Sequence, residues 1–393
     1  MNSKRPSVAT SALSAPFSPP DDIARMTPAL QSTHTAPANG KRWPVAILGA
    51  TGAVGQAFIR TLNGHPWFEI TEVAASQRSA GKRYADAARW LEDELDPAVA
   101  ALIVTTCDPQ SVKSPIVFSA LDSNVAGEVE AAFAKAGRIV LSNAKNYRME
   151  PDVPLVIPEV NGDHLALLTH QRQVRGWTGA IVTNANCATT VIAAALAPLH
   201  EQFGVAKVFV TTLQAVSGAG YPGVPSLDIM GNVIPYIGDE EPKIESELGK
   251  MLGKLENNAI THAPIVITAH ANRVAVEHGH TACMSVGFHR QPSVDEAIET
   301  IRNWKGFTPS LGLPTSPEHV LYLHEGNDQP QPRRHVMMGR GMTTSIGRVR
   351  KCNMLDLRMV AMSHNVVRGA AGGSVLNAEL LVATGVVAET VAQ

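Results

Sequence analysis

"PVAILGATGAVGQAFIRTLNGH", residues 44–65, is the stretch that decides the fold of this chain. A short apolar run, a glycine-rich turn and a helical pattern follow one another. Such a turn lets the backbone approach a pyrophosphate closely while a helix N-terminus points at the anion. The glycine spacing is GxxGxxG rather than the usual GxGxxG, so a purely structural strand-turn-helix is the alternative interpretation. We predict a dinucleotide site with contacts from Gly49, Thr51, Gly52, Ala53 and Val54.

The residues that follow alternate between strand-like and helical patterns. Compact apolar runs occupy 69–76, 115–121 and 137–143, and helical spacing occupies 124–137. Strands that alternate with helices indicate a parallel, doubly wound sheet. The predicted fold class is therefore α/β, with an N-terminal Rossmann-like dinucleotide-binding domain.

The segment after the second apolar run indicates which dinucleotide is bound. An Asp or Glu there would bind the ribose hydroxyls of NAD, but "AASQRSAGK", residues 74–82, contains no acid. It contains Ser76, Arg78 and Ser79 instead, and hydroxyls with a guanidinium suit a 2′-phosphate. We predict NADP(H) as the cofactor. The alternative is that Arg78 is an ordinary solvated loop charge.

The second half of the chain has longer strand-like pieces. They occupy 206–218, 263–276, 280–289 and 347–362, and their β-branched, alternating residues predict a second, α+β domain with a mostly antiparallel sheet. A helix over 296–304 is expected to pack on that sheet. The last residues are helical again, so we place the boundaries at 41–182, completed by a C-terminal helix within 363–393, and 183–362.

Composition excludes several classes of protein. A formal charge of -2 gives no reason to expect nucleic acid as a partner, and no apolar run is long enough to predict a membrane span. The four cysteines form no CxxC pair, which favours neither zinc nor disulfides and fits a reducing cytoplasm. Residues 1–40, rich in Ser, Pro and Ala, predict a disordered extension, with a transit peptide as the alternative.

Cys187 is the first candidate for chemistry. It precedes an alanine-rich helical pattern in "TNANCATTVIAAALAPLH", residues 183–200. A sulfur at a helix start lies near unpaired N–H groups and the positive end of the helix dipole, which predicts a lowered thiol pKa and a ready oxyanion site. The alternative is a buried structural thiol.

Several motifs together resemble aspartate-semialdehyde dehydrogenase, in the branch found in archaea and fungi. They are "GATGAVGQAFIRTLNGHPWFE" (49–69), "LSNAKNYRM" (141–149), "NANC" (184–187), "LQAVSGAG" (213–220), "DEEPKIESE" (239–247), "NRVAVEHGH" (272–280) and "SHNVVRGAAGGSVLNAELL" (363–381). The resemblance covers nearly all of the chain from residue 44 to its end. It implies an NADP-dependent oxidoreductase that interconverts L-4-aspartyl phosphate and L-aspartate 4-semialdehyde, a step toward lysine, methionine and threonine.

The resemblance also implies roles for individual residues. Cys187 would be the nucleophile, His280 the general acid/base and Gln214 the amide that orients the substrate. Arg273 would bind the substrate carboxylate with a planar fork that lysine cannot reproduce. The remaining assignments are Glu240 for the substrate amine, Lys243, Asn143 and Arg148 for phosphate, and Ser217, Gly218 and Asn365 beside the nicotinamide. Lys145 is a weaker candidate for the phosphate site.

The family resemblance extends to assembly. It implies that residues 183–362 form the catalytic and dimerisation domain, and that the protein is a homodimer or homotetramer. Its partners would be a small-molecule substrate and inorganic phosphate.

The chain departs from the family pattern at three positions. His278 stands where the family most often has Asp, which puts the orientation of the loop before His280 in question. Ala185 replaces a common Pro, and Ala188 replaces a small hydroxyl residue. Malonyl-CoA reductase on the same scaffold is the alternative enzyme, and a dinucleotide-sensing module without catalysis is the alternative of another class.

Overall fold

A computed structural model describes residues 42–307 and 311–387. The expectations for residues 1–40, and for the last residues of the C-terminal helix (388–393), lie outside the described residues.

Seven of the described strands form one entirely parallel sheet in the first half of the chain. The strands are β1 (Trp43–Leu48), β2 (Phe68–Ala75), β3 (Thr105–Thr106), β4 (Ile116–Ser119), β5 (Ile139–Ser142), β6 (Leu155–Val156) and β7 (Ala180–Asn184). Their order is β3-β2-β1-β4-β5-β7-β6, so the winding direction reverses between β1 and β4. This confirms the doubly wound prediction. The predicted boundary at 182/183 falls inside β7, because this strand pairs with β6 up to Asn184.

Helices cover the faces of this sheet. They are α1 (Ala53–Leu62), α2 (Tyr84–Ala87), α3 (Pro97–Ala101), α4 (Ser123–Lys135), α5 (Pro158–Asn161) and α6 (Leu167–Arg175). Every residue of β4, β5, β6 and β7 is buried, which explains why the sequence shows continuous apolar runs there rather than alternation. In β2, by contrast, Glu69 and Thr71 are exposed.

A second sheet of seven described strands follows. It comprises β8 (Val205–Gln214), β9 (Val233–Ile234), β12 (Val266–Val274), β13 (His280–Phe288), β14 (Leu321–Leu323), β15 (Thr344–Lys351) and β16 (Leu357–Ser363), and β10 (Lys254–Glu256) and β11 (Ala259–Thr261) form a separate hairpin. The order is β14-β15-β16-β13-β8-β12-β9. Four of its six pairings are antiparallel, whereas β8–β12 and β14–β15 are parallel. The sheet is thus mixed, and mostly antiparallel as predicted.

The helices of the second half are α7 (Cys187–Phe203), α8 (Ser226–Ile229), α9 (Glu240–Met251), α10 (Val294–Asn303), α11 (Pro332–His335) and α12 (Gly372–Ala383). Helix α7 packs on one face of the second sheet, and α10, which was expected, packs beside it. The other face is open: in β8, Val208 and Val210 are buried whereas Phe209 and Leu213 are exposed.

The C-terminal helix returns to the first half of the molecule, as predicted. Helix α12 follows a π-helical turn, Val367–Ala371, and buries Val375, Leu376 and Leu380 in the core that also contains β1 and α1. Within residues 42–307 and 311–387, no helix is long and apolar enough to cross a membrane.

Candidate active site

Cys187 is the first residue of α7, as the sequence predicts. Asn186 is the N-cap, and its side-chain oxygen accepts the N–H groups of Ala188 and Thr189 at 2.9 and 3.0 Å. Two carboxylates of α9 fix this cap: Glu240 accepts the Asn186 amide at 2.9 Å, and Glu247 accepts its backbone N–H at 2.7 Å. Hydrogen bonds from α7 itself and from α9 thus hold the residue that precedes the sulfur.

The sequence predicts a lowered pKa for the Cys187 thiol, and this prediction is wrong for the protein without bound substrate. Burial, reinforced by the charge of Glu240, raises the pKa of this thiol to about 12, although Arg148, Arg273 and the Ala188 N–H act in the opposite direction. A helix dipole contributes at most about 2 kcal/mol, or roughly 1.5 pKa units. Desolvation can exceed that, with shifts of roughly 3–5 units for buried groups. The sequence shows the helix start but not the depth of burial.

Three predicted residues converge from neighbouring strands. Gln214 ends β8, and Arg273 lies directly opposite it near the end of β12, because these two strands are parallel. His280 begins β13, which runs antiparallel to β8 and therefore starts where β8 ends. All three side chains are buried at one edge of the sheet. Their meeting follows from a mixed strand order that spacing alone does not reveal.

The His280 ring is held in one tautomer. Its Nδ1 accepts the backbone N–H of Ala215 at 3.1 Å, so in the neutral ring the proton lies on Nε2. Nε2 is buried and has no hydrogen-bond partner among the described residues. Burial, with smaller effects from Arg273 and His364, lowers the pKa of His280 to about 3. The free protein therefore has a neutral imidazole with an uncommitted N–H donor.

The turn that contains Ala215 also holds the side chain of Arg273. Its Nη1 donates to the carbonyl oxygen of Ala215 at 2.7 Å. Burial lowers the pKa of the guanidinium, whereas Cys187 and Glu240 raise it. A Cβ added at Gly218 would lie 3.0 Å from Arg273 Nη1 and 3.0 Å from His280 Cε1. Gly218 therefore packs directly against both side chains.

A second group of cationic and amide side chains lies beside α9. Arg148 is buried, and its guanidinium donates to Glu247 at 2.9 Å and to the carbonyl oxygen of Asn143 at 2.8 Å. Its Nε has no partner within the described part of the chain. The Asn143 amide donates to Ser374 of α12 at 3.1 Å. An anion placed here would meet one buried guanidinium with an unsatisfied N–H.

Two lysines border this group. Lys243 lies 3.5 Å from Glu240, so these two predicted residues are neighbours on α9. Lys145 forms an exposed ion pair with Asp239 at 2.9 Å. That pair faces solvent, and the role of Lys145 in phosphate binding stays a prediction.

Two residues of α9 that were not predicted from the sequence, Glu247 and Lys250, also form hydrogen bonds in this part of the site. Glu247 bonds both Arg148 and Asn186, and the buried ammonium of Lys250 donates to the carbonyl oxygens of Arg148, Glu150 and Val153 at 2.7, 2.7 and 2.8 Å. Glu240, Glu247 and Lys250 recur at helical spacing along α9. That spacing is the signal that could have identified them as one face.

The glycine turn has the geometry of a phosphate cradle. Gly49 has φ +73, and a Cβ there would lie 2.6 Å from the carbonyl oxygen of Ala120 on the neighbouring strand connection. Gly55 allows α1 to approach the turn, because a Cβ there would lie 2.4 Å from the Gly49 oxygen. Gly52 is the N-cap of α1 and supplies no side chain to cap Ala53 and Val54. Gly52 donates its own N–H to the Gly49 carbonyl oxygen at 3.0 Å. The N–H groups of Ala53 and Val54, the first residues of α1, have no intrahelical acceptor and could bind an anion.

Ser76, Arg78 and Ser79 follow the end of β2, next to this turn. The Ala50 N–H bonds to the carbonyl oxygen of Ala74, which joins the glycine turn to the end of β2. Ser76 and Arg78 are exposed, and Arg78 makes no ion pair with any described residue. The arrangement can accept a phosphate on the ribose side of a bound dinucleotide.

Asn365 joins the loops around His280. Its amide donates to Ser217 at 2.9 Å, and its oxygen accepts the Gly279 N–H at 2.9 Å. His278 bonds Ser217 at 3.0 Å and stacks on His364 with 4.7 Å between ring centroids. His278 thus binds the turn that contains Ser217, while His280 stays bonded to Ala215.

The fold and the site together define a class of protein. It is a dinucleotide-dependent oxidoreductase in which the second domain supplies a cysteine at the start of a helix. The model of the semialdehyde dehydrogenase NAD binding domain matches residues 44–168, and that of the semialdehyde dehydrogenase dimerisation domain matches residues 196–368. The aspartate-semialdehyde dehydrogenase of Archaeoglobus fulgidus is 49% identical over 342 residues, covering 87% of this chain and 98% of that protein. That of Cryptococcus neoformans is 46% identical, with 87% and 98% covered.

A solved structure agrees. The aspartate-semialdehyde dehydrogenase of Candida albicans with NADP superposes with a TM-score of 0.82 at 40% identity, covering 88% of this chain and 99% of that one. The chain belongs to the aspartate-semialdehyde dehydrogenase family, and its similarity to archaeal and fungal members agrees with the resemblance read from its motifs. These comparisons do not favour malonyl-CoA reductase.

Proposed function

We propose that this chain is an NADP-dependent aspartate-semialdehyde dehydrogenase. It would convert L-4-aspartyl phosphate and NADPH to L-aspartate 4-semialdehyde, phosphate and NADP+, reversibly, and so serve lysine, methionine and threonine synthesis. The observation that carries the proposal is the convergence of Gln214, Arg273 and His280 at one sheet edge.

The proposed intermediate is a thioester on Cys187. Its sulfur attacks the acyl carbon, the C–S bond forms, and the C–O bond to phosphate breaks with both electrons leaving on phosphate. The thiol proton leaves with the phosphate. The N–H groups of Ala188 and Thr189 at the start of α7 already donate to Asn186, so the oxyanion that forms on the carbonyl during attack would be stabilised by the positive end of the helix dipole.

Substrate binding is assigned to charged groups around the sulfur. Arg273 would bind the α-carboxylate and Glu240 the ammonium group, while Gln214 would orient the chain. Lys243, Asn143 and Arg148 would bind the phosphate, whose charge Arg148 can meet with its uncommitted Nε. The charges of substrate and site are complementary at each end.

The first domain contains the residues that we propose to bind the phosphates of NADP. The N–H groups of the glycine turn, from Gly49 and Thr51 to Gly52, Ala53 and Val54, would hold the pyrophosphate, and Ser76, Arg78 and Ser79 the 2′-phosphate. Asn365, Ser217 and Gly218 would border the nicotinamide. When bound, this cofactor supplies the hydride that reduces the thioester carbon.

His280 is assigned to proton transfer. The free ring is a neutral donor through Nε2 because Nδ1 accepts the Ala215 N–H. Negative charge that develops on a bound substrate next to the ring would raise its pKa, so that it could take up a proton and deliver it to the departing sulfur. The 3.1 Å bond to Ala215 must weaken for this to occur.

We also propose a homodimer formed through the open face of the second sheet. Phe209, Leu213 and Val266 are exposed there at 46%, 36% and 65%. Large exposed apolar side chains that share one face are typical of an interaction surface. A tetramer and a cytoplasmic location stay predictions, as do the domain boundaries 41–182 and 183–362.

The test is a substrate comparison. Purified protein should reduce NADP+ when given L-aspartate 4-semialdehyde and phosphate, and the rate should fall to background when phosphate is omitted. Oxidation of NADPH by malonyl-CoA, with no reaction of the aldehyde, would instead select the alternative enzyme. Inactivity toward both, with NADP binding retained, would favour the sensing module.

A further inference from the structure

Helix α9 contains a buried carboxylate that the proposed reaction does not use. Glu247 is 2% exposed, two turns after Glu240 on the same helix face. Burial of an ionised side chain is costly unless its charge is paired and its oxygens accept hydrogen bonds. The hydrogen-bond partners of Glu247 therefore indicate its role.

The two oxygens of Glu247 serve two different parts of the site. Oε1 accepts Nη1 of Arg148 at 2.9 Å, and Oε2 accepts the backbone N–H of Asn186 at 2.7 Å. Asn186 in turn caps the helix that begins at Cys187. One carboxylate thus connects the guanidinium beside the phosphate group to the residue that precedes the nucleophile.

Lys250 strengthens the Arg148 side of this connection. It lies one turn after Glu247, and its ammonium donates to the carbonyl oxygen of Arg148 itself. Helix α9 therefore holds Arg148 at both ends, the side chain through Glu247 and the backbone through Lys250. The guanidinium keeps Nε unpaired among the described residues, which leaves a donor for an anion.

We propose that Glu247 is a positioning residue that couples the phosphate-binding guanidinium of Arg148 to the N-cap of the helix that begins at Cys187. The inference rests on the proposed function, which assigns phosphate to Arg148. A glutamine at 247 has one acceptor oxygen where the carboxylate has two, so it can satisfy Arg148 or Asn186 but not both. The affinity for phosphate should therefore fall first, because Arg148 loses the carboxylate that pairs with its charge.

The experiment compares Glu247→Gln with Glu245→Gln in the oxidative direction. Glu245 is an exposed residue of the same helix whose carboxylate accepts the Ala269 N–H. For Glu247→Gln we expect the KM for phosphate to rise at least about tenfold, since a charge-assisted bond is lost. The KM for NADP+ should stay within about twofold of wild type, and Glu245→Gln should match wild type in both.

Two results would overturn the inference: an unchanged KM for phosphate, or an equal rise in the KM for phosphate and NADP+. Wild-type protein that does not reduce NADP+ would count against the proposed function instead. If Glu247→Gln does not fold, Arg148→Met is compared with Arg148→Met combined with Glu247→Gln. Coupling through Arg148 predicts the same phosphate KM for both within about twofold, and a further tenfold loss would contradict it.

Discussion

His280 and Arg273 are held by opposite sides of one residue. Ala215 donates its N–H to Nδ1 of His280 at 3.1 Å, and its carbonyl oxygen accepts Nη1 of Arg273 at 2.7 Å. The group proposed for proton transfer and the group proposed for carboxylate binding thus share one backbone anchor. Displacement of the turn after β8 would move both.

Arg273→Lys should damage turnover, because an ammonium cannot bind a carboxylate with two parallel N–H groups. We expect kcat/KM for L-aspartate 4-semialdehyde to fall roughly 10- to 100-fold, the loss of one charge-assisted hydrogen bond or slightly more. Steady-state kinetics with the aldehyde varied measure this. Near-wild-type values would argue against carboxylate binding at Arg273.

Gly218→Ala tests the close packing between the turn and the two side chains. The new methyl would lie 3.0 Å from Arg273 Nη1 and 3.1 Å from His280 Nε2, so one of them must shift. We expect kcat/KM to fall roughly tenfold, since small misplacements of catalytic groups are costly. Gly238→Ala is the control, because its nearest neighbouring atom would be 3.9 Å away. Equal kinetics for both variants would contradict the packing.

Alkylation of Cys187 reports its ionisation. The thiolate is the reactive form, and a pKa raised to about 12 means that its fraction keeps growing as pH rises. The rate of iodoacetamide modification at Cys187, followed by peptide mass, should therefore increase up to about pH 10 without levelling off. A plateau below about pH 8 would show a neutral-pH thiolate instead. Cys187→Ala identifies modification at the other cysteines.

Arg78→Ala should weaken NADP selectively. Loss of a guanidinium that binds the 2′-phosphate predicts a rise of roughly tenfold or more in the KM for NADP+, with the KM for NAD+ unchanged. Lys82→Ala, an exposed cation on the same connection, is the control. An equal change for both cofactors would place Arg78 outside the phosphate site.

Local patterns in the sequence predicted the elements of the site well. Apolar runs followed by a glycine turn were enough for the parallel sheet, and the alanine-rich run after Cys187 was enough to predict a helix that starts there, although its N-cap, Asn186, was identified only in the structure. Both depend on interactions between residues close in the chain. The order of strands in the second sheet depends instead on residues that are far apart in the chain. This strand order alone brings Arg273 beside Gln214.

Burial and long-range pairing account for what the sequence did not reveal. Desolvation of Cys187 outweighs the helix dipole, and only the packed structure shows which groups surround this half-buried thiol. Glu247 looks like one more charge on a helix until Arg148 and Asn186 approach it from different segments. Its role depends on three parts of the chain at once.

The central claim is a thioester on Cys187, and covalent trapping tests it most directly. Protein mixed with L-4-aspartyl phosphate in the absence of NADPH, then quenched in acid, should release one phosphate per chain and gain one aspartyl group. Peptide mass spectrometry should place that group on Cys187, and Cys187→Ala should show neither change. Reduction of the substrate without an adduct, or an adduct on another cysteine, would contradict the account.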